Sequence, residues 1–262
     1  MDIAASLPFI ASGFGVGFLV GMTGVGGGSL MTPVLILLFG VQTTTAVGTD
    51  LLYAAATKSA GTLTRGFSHA VDWKITARLA CGSVPGTTLT SAVLYLLDVH
   101  GGASPRSLNV ILGMMLLVSA AGMLLVRRLR WLTVRHHPSA FAARLLVPGT
   151  VLAGFVLGVL VTLTSVGAGA LGMIVLVMLY TDTPIDRLVG SDFAHAVPLT
   201  LIAGCGHWLL GSVNWTLVGL LLIGSVPGIV LGNHLSSRMP EHVGRSVVAA
   251  ILTVVGTRML GV

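Results

Sequence analysis

Charge is scarce in this sequence. Asp, Glu, Lys and Arg together make up 8% of its 262 residues, where a soluble domain carries about 25%. So few charged side chains exclude an ordinary water-soluble surface. Cysteine is limited to Cys81 and Cys205, each in an apolar segment and neither at metal-ligand spacing from another Cys or His. Both are expected to pack as small hydrophobes. Catalytic signatures are missing as well. There is no HExxH, no zinc pattern and no Ser/His/Asp arrangement, and no Lys-Ser or Lys-Thr follows the glycine run to make a phosphate-binding loop. An ATPase or other enzyme is therefore not expected, and no cofactor is called for. The N-terminus lacks the basic region of a secretory signal, Asp2 being the only charge before the first apolar run.

What is present is apolar. Hydrophobic residues make up 54% of the chain and glycine contributes 35 residues, with a mean hydropathy of +0.97. Several stretches reach the roughly 20 apolar residues that cross a bilayer as a helix. The expected class is an all-α polytopic membrane protein without a soluble domain. The formal charge of +6 does not point to nucleic acid, because the arginines sit in loops between spans, where they set orientation.

Two of the apolar segments are interrupted. Gly21-Met22-Thr23-Gly24-Val25-Gly26-Gly27-Gly28-Ser29 breaks the first, and Thr162-Leu163-Thr164-Ser165-Val166-Gly167-Ala168-Gly169 breaks the one that opens the second half. The halves align at a nearly constant offset. Gly48-Thr49-Asp50 matches Gly190-Ser191-Asp192, Val71-Asp72-Trp73 matches Val213-Asn214-Trp215, and Gly82-Ser83-Val84-Pro85-Gly86 matches Gly224-Ser225-Val226-Pro227-Gly228, all 142 residues apart. The glycine runs, with Phe14/Phe155 and Gly17/Gly158, align at 141. This is a duplicated fold. The expected organisation is a first transmembrane repeat over 1–128, a basic cytoplasmic linker over 129–144 and a second repeat over 145–262, with about 8–10 membrane segments in all. The His136-His137 pair in the linker is read as part of a solvated loop, since neighbours in sequence do not face one site on a helix.

The cationic residues indicate how the repeats lie. If each broken element turns back to the side it entered from, each half crosses an odd number of times and the second repeat is inverted. Arg65, Lys74, Arg78, Arg127, Arg128, Arg130, Arg135, Arg144, Arg187, Arg238 and Arg245 then share one side, and Arg106 and Arg258 the other, with Lys58 inside a span. If each element crosses once, the asymmetry largely disappears. The preference for basic residues on the cytoplasmic side favours inverted repeats with re-entrant first helices and both termini outside.

Residues able to carry chemistry fall in these motifs. Glycine at a helix break lets backbone N–H groups converge into an anion-binding nest. Gly24, Gly26, Gly27 and Gly28 of the first run, Gly167 and Gly169 of the second, and the hydroxyls of Thr23, Ser29, Thr164 and Ser165 are candidate substrate contacts, the alternative being that the glycines serve only close helix packing. Lys58, two turns beyond Asp50, either neutralises an anionic substrate or pairs with an internal carboxylate. Asp50 and Asp192, equivalent in the repeat, and His195, one turn past Asp192, are candidate proton-coupling residues. The competing reading makes each Asp the N-cap of its helix. His207 is expected at an interface, Trp73 and Trp215 in an aromatic belt, and the two Gly-Ser-Val-Pro-Gly motifs as kinks with tight packing.

The run at 21–29, then Ala46-Val47-Gly48-Thr49-Asp50-Leu51-Leu52, Gly61 and Val71-Asp72-Trp73, with the copies at 190–192 and 224–228, resembles the TauE/SafE sulfite-exporter family of bacterial inner-membrane permeases over about residues 10 to 260. The chain departs from the pattern at Ala168 and Ala170 in the second run, and has Asp50 where Ser or Asn is expected in many relatives. The resemblance implies a secondary transporter of small anions such as sulfite or organosulfonates, driven by the proton gradient. Its partners are then a small anionic substrate and the lipid bilayer, with a homodimer kept as an option and no nucleic acid. The alternatives are a channel-like anion pore and a non-transporting membrane assembly factor.

Overall fold

A computed structural model describes residues 3–23, 28–65, 71–99, 105–134, 140–167, 169–236 and 241–261. Among these, ten helices account for nearly all of the chain and no strand occurs: α1 (Ile3–Thr23), α2 (Gly28–Leu37), α3 (Thr43–Arg65), α4 (Trp73–Val99), α5 (Pro105–Val134), α6 (Ala140–Thr164), α7 (Ala170–Leu179), α8 (Ile185–Leu209), α9 (Trp215–Ser236) and α10 (Glu241–Leu260). Residues 127–134 continue α5 and residues 140–144 begin α6, while 135–139, with His136-His137, lie outside the described residues. Among the described residues, four segments are long and apolar enough to cross a membrane by themselves: 73–96, 146–164, 185–209 and 215–235. Shorter apolar helices run over 6–22, 109–122 and 246–260.

The interruption expected at the second glycine run is present, while that at the first falls on residues 24–27, outside the described residues. α2 and α7 have 10 residues each, about 15 Å of helix, half of what a bilayer needs. The second break is described in detail. α6 ends at Thr164. Ser165 adopts a left-handed conformation (φ 57°) and Gly167 has φ 111°, a region open to glycine and costly for other residues. The Thr164 hydroxyl accepts the Val166 N–H at 3.2 Å and donates to the Leu160 carbonyl at 2.7 Å. Backbone groups released by the break are thus met inside the protein, as burial in a membrane requires.

The helices pack in a pattern that recurs when the halves are exchanged. α1 lies most extensively on α9, and its counterpart α6 on α4. α3 crosses α8 and α5 crosses α10, each helix meeting its own repeat partner. The α1–α9 and α4–α6 interfaces are backbone against backbone. A Cβ on Gly82 would strike the Val151 carbonyl, and one on Gly224 the Ile10 carbonyl. Gly17 meets Ser225 in the same way that Gly158 meets Ser83. The Gly-Ser-Val-Pro-Gly motifs are therefore contact surfaces, with Pro85 and Pro227 inside continuous helices. Small residues suit such a seam because packing of helices in lipid gains little from apolar burial and relies on close approach.

The Val-Asp-Trp and Val-Asn-Trp motifs start α4 and α9. Asp72 Oδ1 accepts the N–H groups of Lys74 at 2.9 Å and Ile75 at 3.3 Å, and Asn214 Oδ1 accepts that of Leu217 at 3.1 Å. These are the N-caps. Their own N–H groups cross to the other half: Asp72 N–H donates to Ser191 Oγ at 2.8 Å and Asn214 N–H to Thr49 Oγ1 at 3.1 Å. The first two motif pairs thus hydrogen-bond reciprocally across the repeat. Trp73 and Trp215 are more than half exposed at these helix starts, and Trp208 meets Trp215 edge to face with centroids 5.7 Å apart.

Replacing Gly82 or Gly224 by Val is expected to destabilise the bundle by about 1–3 kcal/mol through overpacking. Gly219→Val, which faces open space, serves as the control. The check is the melting temperature of the detergent-purified protein, where equal values for all three variants would contradict the backbone-contact assignment.

Candidate functional site

The site is built on α3 and α8. Asp50 and Asp192 each lie two turns inside their helices, seven residues after Thr43 and Ile185. Neither is an N-cap, and the capping alternative falls to Asp72 and Asn214 instead. Asp50 is fully buried and Asp192 is 3% exposed. One turn further along the same faces stand Tyr53 and His195, both buried. Lys58 is 1% exposed and within coulombic reach of both carboxylates. Crossing of α3 on α8 brings the charged groups of both repeats together.

Neighbouring helices complete the shell. Asp50 Oδ2 accepts the Thr32 hydroxyl at 2.5 Å and the Thr32 N–H at 3.1 Å, so the first carboxylate is held by the N-terminal turns of short helix α2. Asp192 lies against the first turn of the other short helix, where a Cβ on Gly172 would strike its Oδ1. A carboxylate beside the positive end of a helix is favourably placed. The protein's own carboxylates thus lie at these helix starts.

The serines of the paired seam motifs face this shell. Ser83 Oγ shares a 2.8 Å hydrogen bond with His195 Nε2, and Ser225 Oγ one of 3.0 Å with Thr57 Oγ1, with the Tyr53 hydroxyl close by. Ser83/Ser225 and Tyr53/His195 are repeat counterparts, so Tyr53–Ser225 in one half answers His195–Ser83 in the other. Thr32 has Met173 as its counterpart and Lys58 has Thr200; these two replacements break the symmetry at the charged centre. Among the described residues, Asp50 Oδ1, Tyr53 OH, Ser165 Oγ, Asp192 Oδ1 and His195 Nδ1 are buried side-chain atoms without a hydrogen-bond partner. Ser91 Oγ, Ser119 Oγ and His207 Nδ1 are likewise unpartnered, and such buried polar atoms are rare in structural cores.

Other candidates divide. Gly24, Gly26 and Gly27 lie outside the described residues. Thr23 ends α1, while Gly28 and Ser29 begin α2. Thr164 spends its hydroxyl on the local break. Ser165 is fully buried and faces the Asp50 carboxylate. Gly167 supplies a strained turn and Gly169 is the N-cap of α7. His207 is 5% exposed and its Nε2 donates to the Thr162 carbonyl at 2.9 Å, meeting a carbonyl at the broken end of α6. Among the described residues no group of three or more His, Cys, Asp or Glu could hold a metal ion. A groove of about 700 Å³ between α5, α6 and α7 is lined wholly by apolar residues, among them Leu152, Val156 and Ile174. It belongs to the apolar exterior rather than to the charged interior.

Sequence reasoning missed Thr32, Ser83, Ser225 and Thr57 as site residues. The serines carried a signal in their paired motifs. Thr32 carried none, since its repeat counterpart is a methionine.

An all-helical bundle with broken helices, a lipid-facing apolar exterior and a charged core has the build of a polytopic membrane transporter. The chain belongs to the TauE/SafE sulfite exporter family, whose model matches residues 9–259. It is 35% identical over 97% of its length to the "Probable membrane transporter protein YjnA" of Bacillus subtilis (strain 168), covering all of that protein. It is 26% identical to a "Probable membrane transporter protein" of Xylella fastidiosa (strain Temecula1 / ATCC 700964), over 91% of this chain and 88% of the relative. Identity to "Probable membrane transporter protein YdhB" of Bacillus subtilis (strain 168) is also 26%, over 94% and 97% of the two chains. No solved structure matches.

Substituting Thr32 by Val leaves Asp50 Oδ2 with one donor of two, and is expected to cost about 1–3 kcal/mol. Thr32→Ser should restore most of that stability. Thermal unfolding of the purified variants is the check; equal losses in Val and Ser variants would mean that packing, not the hydroxyl, matters here.

Proposed function

We propose that the protein is a proton-coupled secondary transporter of small anions of the sulfite or organosulfonate type, working by alternating access. The observation that carries this reading is Lys58, one buried cation shared between two buried carboxylates. An isolated charge inside a membrane is expensive, and a compensated cluster such as this one usually marks an ion or substrate path.

The coupling follows from charge balance. With Asp50 and Asp192 ionised, the ammonium of Lys58 is already matched and the interior repels an anion. Protonation of Asp192 removes one carboxylate charge and frees Lys58 to face a cargo anion. His195, on the same face and bonded to Ser83, passes the proton to and from Asp192. Asp50 is neutralised in step with it. Backbone N–H groups at the two breaks supply further anion contacts. The two halves, inverted in the bacterial inner membrane with both termini outside and the arginine-rich connection in the cytoplasm, rock against each other about the breaks. The paired recurrence of helix contacts supports this motion, because the same seam can open on either side.

Reconstituted in liposomes, the protein is expected to move sulfite or sulfoacetate in response to an imposed pH gradient, with saturation. Asp192→Asn should reduce the gradient-driven component about tenfold or more, in line with the loss of a proton-transfer group. Non-saturable flux indifferent to the gradient would instead identify a pore. A thermal-shift screen with sulfite, sulfate, thiosulfate, sulfoacetate and taurine tests the cargo class, and no shift with any of them would remove the sulfur-anion assignment.

A further inference from the structure

From the second helix break we infer that Asp50 and Ser165 form a binding site for a small monovalent cation, sodium being the ion of fitting chemistry. The inference rests on the transporter reading for its role but not for its existence.

Asp50 uses its two oxygens differently. Oδ2 is occupied by the hydroxyl and N–H of Thr32. Oδ1 has no partner among the described residues. Facing the carboxylate is Ser165 Oγ, also fully buried and also without a partner in hydrogen-bond geometry. The backbone explains why Ser165 points there. Its left-handed φ of 57° turns the chain away from the axis of α6 one residue after that helix ends. A buried non-glycine residue held at such a φ is strained and tends to persist where the surroundings require it. The C-terminal end of α6 adds the negative end of the helix dipole at the same place. An anionic oxygen, a hydroxyl oxygen and a helix C-terminus are cation ligands, and unwound carbonyls beside a broken helix commonly serve sodium in transporters.

Charge balance agrees. Lys58 offsets one of the two carboxylates. After Asp192 is protonated the interior is neutral, and a monoanion would leave it with one unmatched negative charge. A sodium ion at Asp50 restores neutrality, so anion, proton and sodium enter together. The repeat does not duplicate this arrangement, since Thr32 is replaced by Met173, and the cation is expected at one carboxylate only.

The test uses the full chain purified in detergent at fixed pH in a choline buffer, with no anionic cargo. Adding NaCl to about 100 mM is expected to raise the melting temperature saturably, while KCl and choline chloride at equal ionic strength do not. Asp50→Asn should abolish the sodium effect. Ser165→Gly, which suits the left-handed backbone and removes the hydroxymethyl side chain, should raise the half-saturating concentration about tenfold and keeps the test valid if the Asn variant does not fold. No sodium-specific rise in the parent protein overturns the site, as does an unchanged response in both variants. A rise produced only by lowering pH assigns Asp50 to a proton and equally overturns it. Anion flux in liposomes without a sodium shift removes this site and leaves the transport reading standing; a sodium shift without anion flux does the reverse.

Discussion

The arrangement depends on holding two carboxylates and one ammonium in the interior of a membrane bundle. Each of these charges alone would be costly there, and their mutual placement is what makes the interior tolerable. Asp50, Asp192 and Lys58 all sit on α3 and α8. Those two helices must therefore cross at a defined depth, and the rest of the chain serves that crossing. The N-terminal turns of α2 and α7 lie against the two carboxylates. α4 and α9 bring Ser83 and Ser225 alongside. α1 and α6 close over the outside through seams of glycine.

Duplication provides a economical way to build such a core, and the departures from it carry the chemistry. Helix caps, seam glycines and the cross-repeat hydrogen bonds Asp72–Ser191 and Asn214–Thr49 keep the symmetry. Thr32 and Lys58 do not. One carboxylate is thereby gripped by two donors of α2, while the other rests against bare backbone at Gly172. Two carboxylates at equivalent positions of the repeat are thus fixed in different ways.

The breaks in the helices acquire a sharper meaning from this geometry. Glycine-rich interruptions suggest an anion nest when viewed by themselves. Resident carboxylates lie against the short helices α2 and α7.

Membership of the membrane class was determined by the sequence alone, since 8% charge over 262 residues cannot cover a soluble surface. The duplication was equally legible, because matched motifs at one offset are a property of the chain. So were the second helix break and the two equivalent aspartates, which stand out as polar residues in apolar surroundings. What only the tertiary structure decided was partnership. Gly-Thr-Asp and Gly-Ser-Asp were compatible with a helix start or a helix interior, and the difference lay in Asp72 and Asn214, 22 residues further along each repeat. Thr32 is an ordinary residue in an apolar stretch until α2 folds against Asp50. Lys58 gains its second carboxylate only when α3 crosses α8, whose Asp192 lies in the other half of the chain. Local pattern records which face of a helix is apolar; which helix that face meets is set by packing between residues far apart in sequence.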